Sequence, residues 1–98
     1  MNVTMKQNGS VMEVTVDGRI DLSTAPELEE ALNGKLNDIS ELIFDFSNVE
    51  YISSAGLRVI LAAHKQLKFR GTTKVIHAND IVRSVFEVTG FTSIITVE

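Results

Sequence analysis

Cysteine and tryptophan are absent from the 98 residues, and proline occurs once. Without thiols the chain can form no disulfide and no thiolate metal site, which suits a reducing compartment. No apolar run approaches the roughly 20 residues that span a bilayer. The opening MNVTMKQNGS also lacks the charged-then-apolar order of a secretory signal. A soluble cytoplasmic protein without membrane insertion is expected. Positive charge is scarce as well: 9 Lys and Arg stand against 13 Asp and Glu, for a net charge of −4. That balance argues against a nucleic-acid partner, because neutralising phosphates takes a basic stripe. Residues 1–50 carry 3 cations and 10 anions (net −7), and residues 51–98 carry 6 and 3 (net +3), so any basic patch must lie in the second half. Its cluster Lys65, Lys68 and Arg70 falls at the end of a predicted helix, where cations complement the negative end of the dipole.

Signatures of catalysis are missing too. No P-loop and no G-x-G-x-x-G occur, so no nucleotide cofactor is implied. A nucleophile elbow would need glycine two residues before Ser54, where Ile52 stands. His64 falls on the apolar stripe of a predicted helix and His77 on a strand, a spacing that suggests structural histidines and no metal pair. Asp21, Asp45, Glu50 and Asp80 are expected to act as solvated or capping carboxylates.

What the chain does contain is a regular alternation of elements. Val3 and Met5, then Met12, Val14 and Val16, alternate with polar residues around Asn8-Gly9, which reads as an antiparallel hairpin. Asp17-Gly18 could form a second hairpin turn, but Val14, Val16, Gly18 and Ile20 keep the period of two, which favours one strand continuing to Ile20 with a bulge allowed. Thr24 and Glu27 have the spacing of a capping box, Pro26 lies inside the first turn, and Leu28, Ala31, Leu32 and Leu36 form the helical stripe. Leu42 to Phe46 reads as a strand covered on both faces. Leu57, Ile60, Leu61, His64 and Leu67 recur at helical spacing, with Gly71 as a stop. A strand at Lys74 to Ala78, a helix at Ile81 to Val88 capped by Asn79 or Asp80, and a strand at Ile94 to Val97 complete the order ββαβαβαβ. One α/β domain over residues 1–98 follows, with a mixed, mainly parallel sheet, an N-terminal antiparallel hairpin and helices packed on the sheet.

Ser53 and Ser54, between strand and helix, are the candidate functional residues. A serine before an apolar helix is ordinarily a cap, contributing about 1 kcal/mol. The pair allows two roles: Ser53 capping the first turn, and Ser54 presenting its hydroxyl to a partner. Ala55 and Gly56 leave that helix end open to close approach by another surface. Arg58, in the first turn, is either a contact to a partner or phosphate, or a solvated surface arginine.

The segment Phe44-Asp45-Phe46-Ser47-Asn48-Val49-Glu50-Tyr51-Ile52-Ser53-Ser54-Ala55-Gly56-Leu57 resembles the strand-to-helix motif D-[LF]-S-x-[VL]-x-[YF]-[IM]-D-S-[SAT]-G-L of STAS domains, the fold of bacterial anti-sigma factor antagonists. Gly18-Arg19-Ile20-Asp21 and Gly90-Phe91 resemble two further family motifs, so the likeness covers nearly the whole chain. The resemblance implies a regulator and no enzyme. An anti-sigma factor serine kinase would phosphorylate Ser54 (less readily Ser53), a PP2C-type phosphatase would reset it, and the unphosphorylated form would bind the kinase and free a sigma factor. Asp21, Ser53, Ser54, Ala55, Gly56 and Arg58 would form the partner-binding surface, with Asp21 either presenting Ser54 or ordering its own loop. One departure stands out: Ser53 occupies the family's aspartate position. It would weaken kinase recognition, shift the acceptor to Ser53, or leave a constitutive interaction module such as the STAS subunit of a lipid-transport ATPase complex.

Overall fold

The computed structural model describes residues 1–67 and 71–98. Its elements are β1 (Asn2–Asn8), β2 (Val11–Ile20), α1 (Ala25–Leu32), β3 (Glu41–Ile52), α2 (Ser54–Gln66), β4 (Thr72–Ile76), α3 (Asp80–Val88), a 3-10 turn at Phe91–Ser93 and β5 (Thr96–Val97). The order matches the expected ββαβαβαβ apart from the added 3-10 turn. Lys68 and Arg70 of the basic cluster lie outside the described residues.

The five strands form one sheet in the order β1-β2-β3-β4-β5, in which only β1 and β2 are antiparallel. Each parallel step moves to the next strand in the same direction. Right-handed crossovers repeated in one direction place every helix on the same face. The core accordingly lies on that face, where Val14, Phe44, Val75, Leu28, Ile60 and Phe86 share one cluster. The other face is open: Glu13, Ile43 and Lys74 lie in register across it, half-buried or exposed. The expectation that Leu42 to Phe46 is covered on both faces is therefore corrected. Double coverage needs a sheet whose winding reverses, and this one does not.

The third strand is also longer than the run Leu42 to Phe46. Opposite Thr15–Asp17 and again opposite Gly18–Arg19 it carries one extra residue, so its pairing with β2 survives two bulges and reaches Ile20↔Ile52. Gly18 at φ +111° lies beside the second irregularity, a backbone conformation that glycine adopts freely. Asp17 Oδ1 accepts from Asn48 Nδ2 at 3.0 Å and closes the first.

Two helical stripes differ in detail from the spacing: Leu36 is buried but lies past the end of α1 at Leu32, and the covered face of α2 is shifted. Ala55, Val59 and Ala63 of α2 are buried, while Leu61 and His64 are only half-buried. Helix α2 packs on the sheet and beside α1 at once, so its covered face is wider and rotated towards α1. His64 Nδ1 lies 2.7 Å from the Oγ1 of buried Thr73, a hydrogen bond within the fold. In α3, Asn79 Oδ1 accepts from Val82 N–H at 2.8 Å and its Nδ2 donates to Val49 O at 3.1 Å, which ties the helix start to β3.

Candidate functional site

Strands β2 and β3 end side by side, and Ser53 N–H donates to Ile20 O at 2.8 Å. The Asp21 loop and the start of α2 are thereby held together at the carboxyl edge of the parallel sheet, the usual place for function in such sheets.

Asp21 organises its own loop. Its Oδ1 accepts from Ser23 Oγ at 2.8 Å, Ser23 N–H at 3.0 Å and Thr24 N–H at 3.1 Å. The Ser23 hydroxyl, then the Thr24 N–H, hold its carboxyl below the usual aspartate range. Thr24 faces back into the same network: its hydroxyl donates to Arg19 O at 2.7 Å and accepts from Asp21 N–H at 2.8 Å. The expected capping box of Thr24 and Glu27 therefore does not form, because the threonine oxygen is already committed to the loop. Arg19 stacks over Tyr51, 4.9 Å from the ring centroid, with its Nε 3.9 Å from Asp21 Oδ2.

At α2 the two serines separate. Ser53 is the N-cap with extended backbone (φ −97°, ψ 176°), and its carbonyl accepts from Leu57 N–H at 3.0 Å. Its hydroxyl makes no capping bond: Ser53 Oγ is enclosed without a partner, a correction to the role that spacing assigns it. Ser54, the first helical residue, is exposed.

Gly56 is buried and turned inward. A Cβ there would stand 2.6 Å from Ile20 Cγ2 and 2.8 Å from Ile52 Cγ1, so the close approach that the missing side chain permits is to the sheet of this same chain. Ala55 is buried, and Arg58 is exposed one turn along. Both line a groove of about 420 Å³ between α1 and α2, with Leu22, Ala25, Pro26, Glu29, Val59 and Ala62. Its floor is apolar, and Arg58 and Glu29 supply one charge of each sign. Leu22, 77% exposed, belongs to this site although sequence reasoning passed it over. The signal was a lone leucine in an otherwise polar loop directly after Asp21. Among the described residues no group of three His, Cys, Asp or Glu side chains is placed to hold a metal ion.

Residues 2–98 match the family model of the STAS domain. The chain belongs to the STAS family. The anti-sigma-B factor antagonist of Bacillus subtilis (strain 168) is 31% identical over 98 residues, covering 99% of this chain and 90% of the relative. The solved structure of an anti-sigma factor antagonist from Mycobacterium paratuberculosis superposes with a TM-score of 0.88 at 28% identity, over 98% of this chain and 83% of the other. SpoIIAA shares the fold in its unphosphorylated form (TM-score 0.84, 15% identity, 99% and 88% covered) and in its phosphorylated form (0.75, 14%, 99% and 91%). The mixed five-stranded sheet with its N-terminal hairpin is thus the fold of this STAS domain's relatives. No helix among the described residues is long and apolar enough to cross a membrane.

Proposed function

We propose that this STAS domain is a cytoplasmic anti-sigma factor antagonist, a binding protein and no enzyme, whose docking to an anti-sigma factor serine kinase is switched by phosphorylation of Ser54. The observation that carries the reading is the contrast between adjacent hydroxyls: Ser54 is open to solvent at the first position of α2, and Ser53 Oγ is enclosed. A kinase can reach the first and is denied the second. The same contrast supports Ser54 as the acceptor although Ser53 stands where the family motif has aspartate.

Phosphate at Ser54 takes the net charge of −4 to about −6. At the positive end of a helix that charge is stabilised by roughly 0.3 to 1 kcal/mol, so the fold persists. The change falls on binding. A surface built around a neutral hydroxyl must desolvate a dianion, and a loss of about 3 kcal/mol weakens docking more than a hundredfold. A PP2C-type phosphatase would restore the binding form.

Incubation with ATP and the anti-sigma factor kinase encoded in the same genome tests the proposal by intact mass. One phosphate is expected on wild type and on Ser53→Ala, and none on Ser54→Ala. Ser54→Asp should lose kinase binding while its melting temperature stays within a few degrees of wild type. Absence of phosphate on wild type, together with kinase binding unaffected by Ser54→Asp, would refute the switch.

A further inference from the structure

Arg58 follows Ser54 by four residues in α2, and both are exposed. Residues i and i+4 of a helix are neighbours on one face, with Cβ atoms about 5–6 Å apart. Helical side chains lean towards the N-terminus, so a long side chain at 58 covers the turn that begins at 54. Among the described residues the guanidinium of Arg58 is in no ion pair; the pair found there joins Arg19 to Asp21. It stands on the wall of the groove with Glu29.

Resting on the phosphorylation reading above, we infer that Arg58 is a positioning residue that clamps the phosphate of phosphorylated Ser54 within helix α2. The guanidinium presents a planar fork of N–H donors that matches phosphate oxygens, and the modified serine brings three acceptors and a charge near −2. Ser53 adds no carboxylate beside it. A single modification then alters the docking face twice: a dianion appears at position 54, and the cation on the groove wall turns away to meet it.

Other charged groups surround the start of α2. Asp21 lies on the adjoining loop and Glu29 on α1, and both oppose a phosphate. Arg19 is engaged with Tyr51 and Asp21. All three are unchanged in the variants below, so their contributions cancel in the comparison.

Phosphoserine installed at position 54 by genetic-code expansion removes the need for a kinase. Its second ionisation is then followed by phosphorus NMR at low salt in the otherwise wild-type chain, in Arg58→Gln and in Arg58→Lys. The expected midpoint lies about 0.2–0.4 pH unit lower with arginine than with glutamine, the size of an exposed i,i+4 ion pair, and lysine falls between. The difference should shrink in high salt. In the chain that keeps Arg58, the Arg58 Nε–H proton resonance should also move when Ser54 carries the phosphate. Equal midpoints for arginine and glutamine, or an unmoved Nε–H resonance, would overturn the clamp. A kinase that leaves Ser54 unmodified would defeat the proposed function and leave this titration intact, so the two failures are distinguishable.

Discussion

Replacing Gly56 with alanine sets two effects of opposite sign against each other. In an exposed helix interior the change gains about 0.8–1 kcal/mol from helix propensity. Here the new methyl would lie 2.6 Å from Ile20 Cγ2 and 2.8 Å from Ile52 Cγ1, nearly 1 Å inside ordinary carbon contact. Neither atom is the loose end of a flexible chain, and both isoleucines are 0% exposed. Relief must come from moving α2 off the sheet. Overpacking of this kind costs about 1–3 kcal/mol, and two simultaneous contacts argue for the upper part of that range. Subtracting the propensity gain leaves a net loss of about 2 kcal/mol, or roughly 10 °C in melting temperature for a domain of this size. Urea unfolding with an unchanged m-value is the assay. A double-mutant cycle identifies the cause: in an Ile20→Ala background the Cγ2 contact is gone, and Gly56→Ala should become about 1 kcal/mol less damaging. A stabilised Gly56→Ala, or equal costs in the two backgrounds, would show that α2 does not sit as closely on the sheet as argued.

Three other outcomes are expected. Ser53→Ala should leave stability unchanged or raise it by up to about 1 kcal/mol, because it deletes an enclosed hydroxyl with no partner. A loss of about 1 kcal/mol, usual for an N-cap, would mean that the hydroxyl does cap the helix. His77 sits at φ +61° between β4 and α3. In chemical denaturation His77→Val should therefore be about 1–2 kcal/mol less stable than His77→Gly, and equal stabilities would argue against the left-handed backbone. The Asp21 carboxyl, held below its usual range by Ser23 and Thr24, stabilises the fold above its unfolded-state pKa, and that stabilisation is lost as pH falls through the lowered native value. Acid unfolding of Asp21→Asn should lack this component, and an NMR titration of wild type that places Asp21 at or above the ordinary aspartate midpoint would contradict it.

Local chemistry wrote much of this protein into its sequence. Period-two runs, the tight hairpin turn (at Gly9-Ser10, one residue past Asn8-Gly9), Asn79 as a cap and Ser54 at the mouth of a helix are short-range features, each decided by sterics or hydrogen bonding within a few residues. Long-range placement decided the rest. Coverage of the sheet on one face follows from three crossovers winding the same way, which no window of sequence contains. Thr24 looked like a cap but spends its oxygen on the Asp21 loop, and Ser53 has the right position for a cap without the bond. Gly56 looked like an opening to partners, yet two isoleucines from separate strands fill the space behind it. The groove that joins Leu22 to Arg58 exists only where α1 lies against α2. Sequence determined which groups the chain carries and where its elements begin. Only the packing of those elements decided which hydroxyl faces water, because exposure depends on neighbours that are distant in the chain.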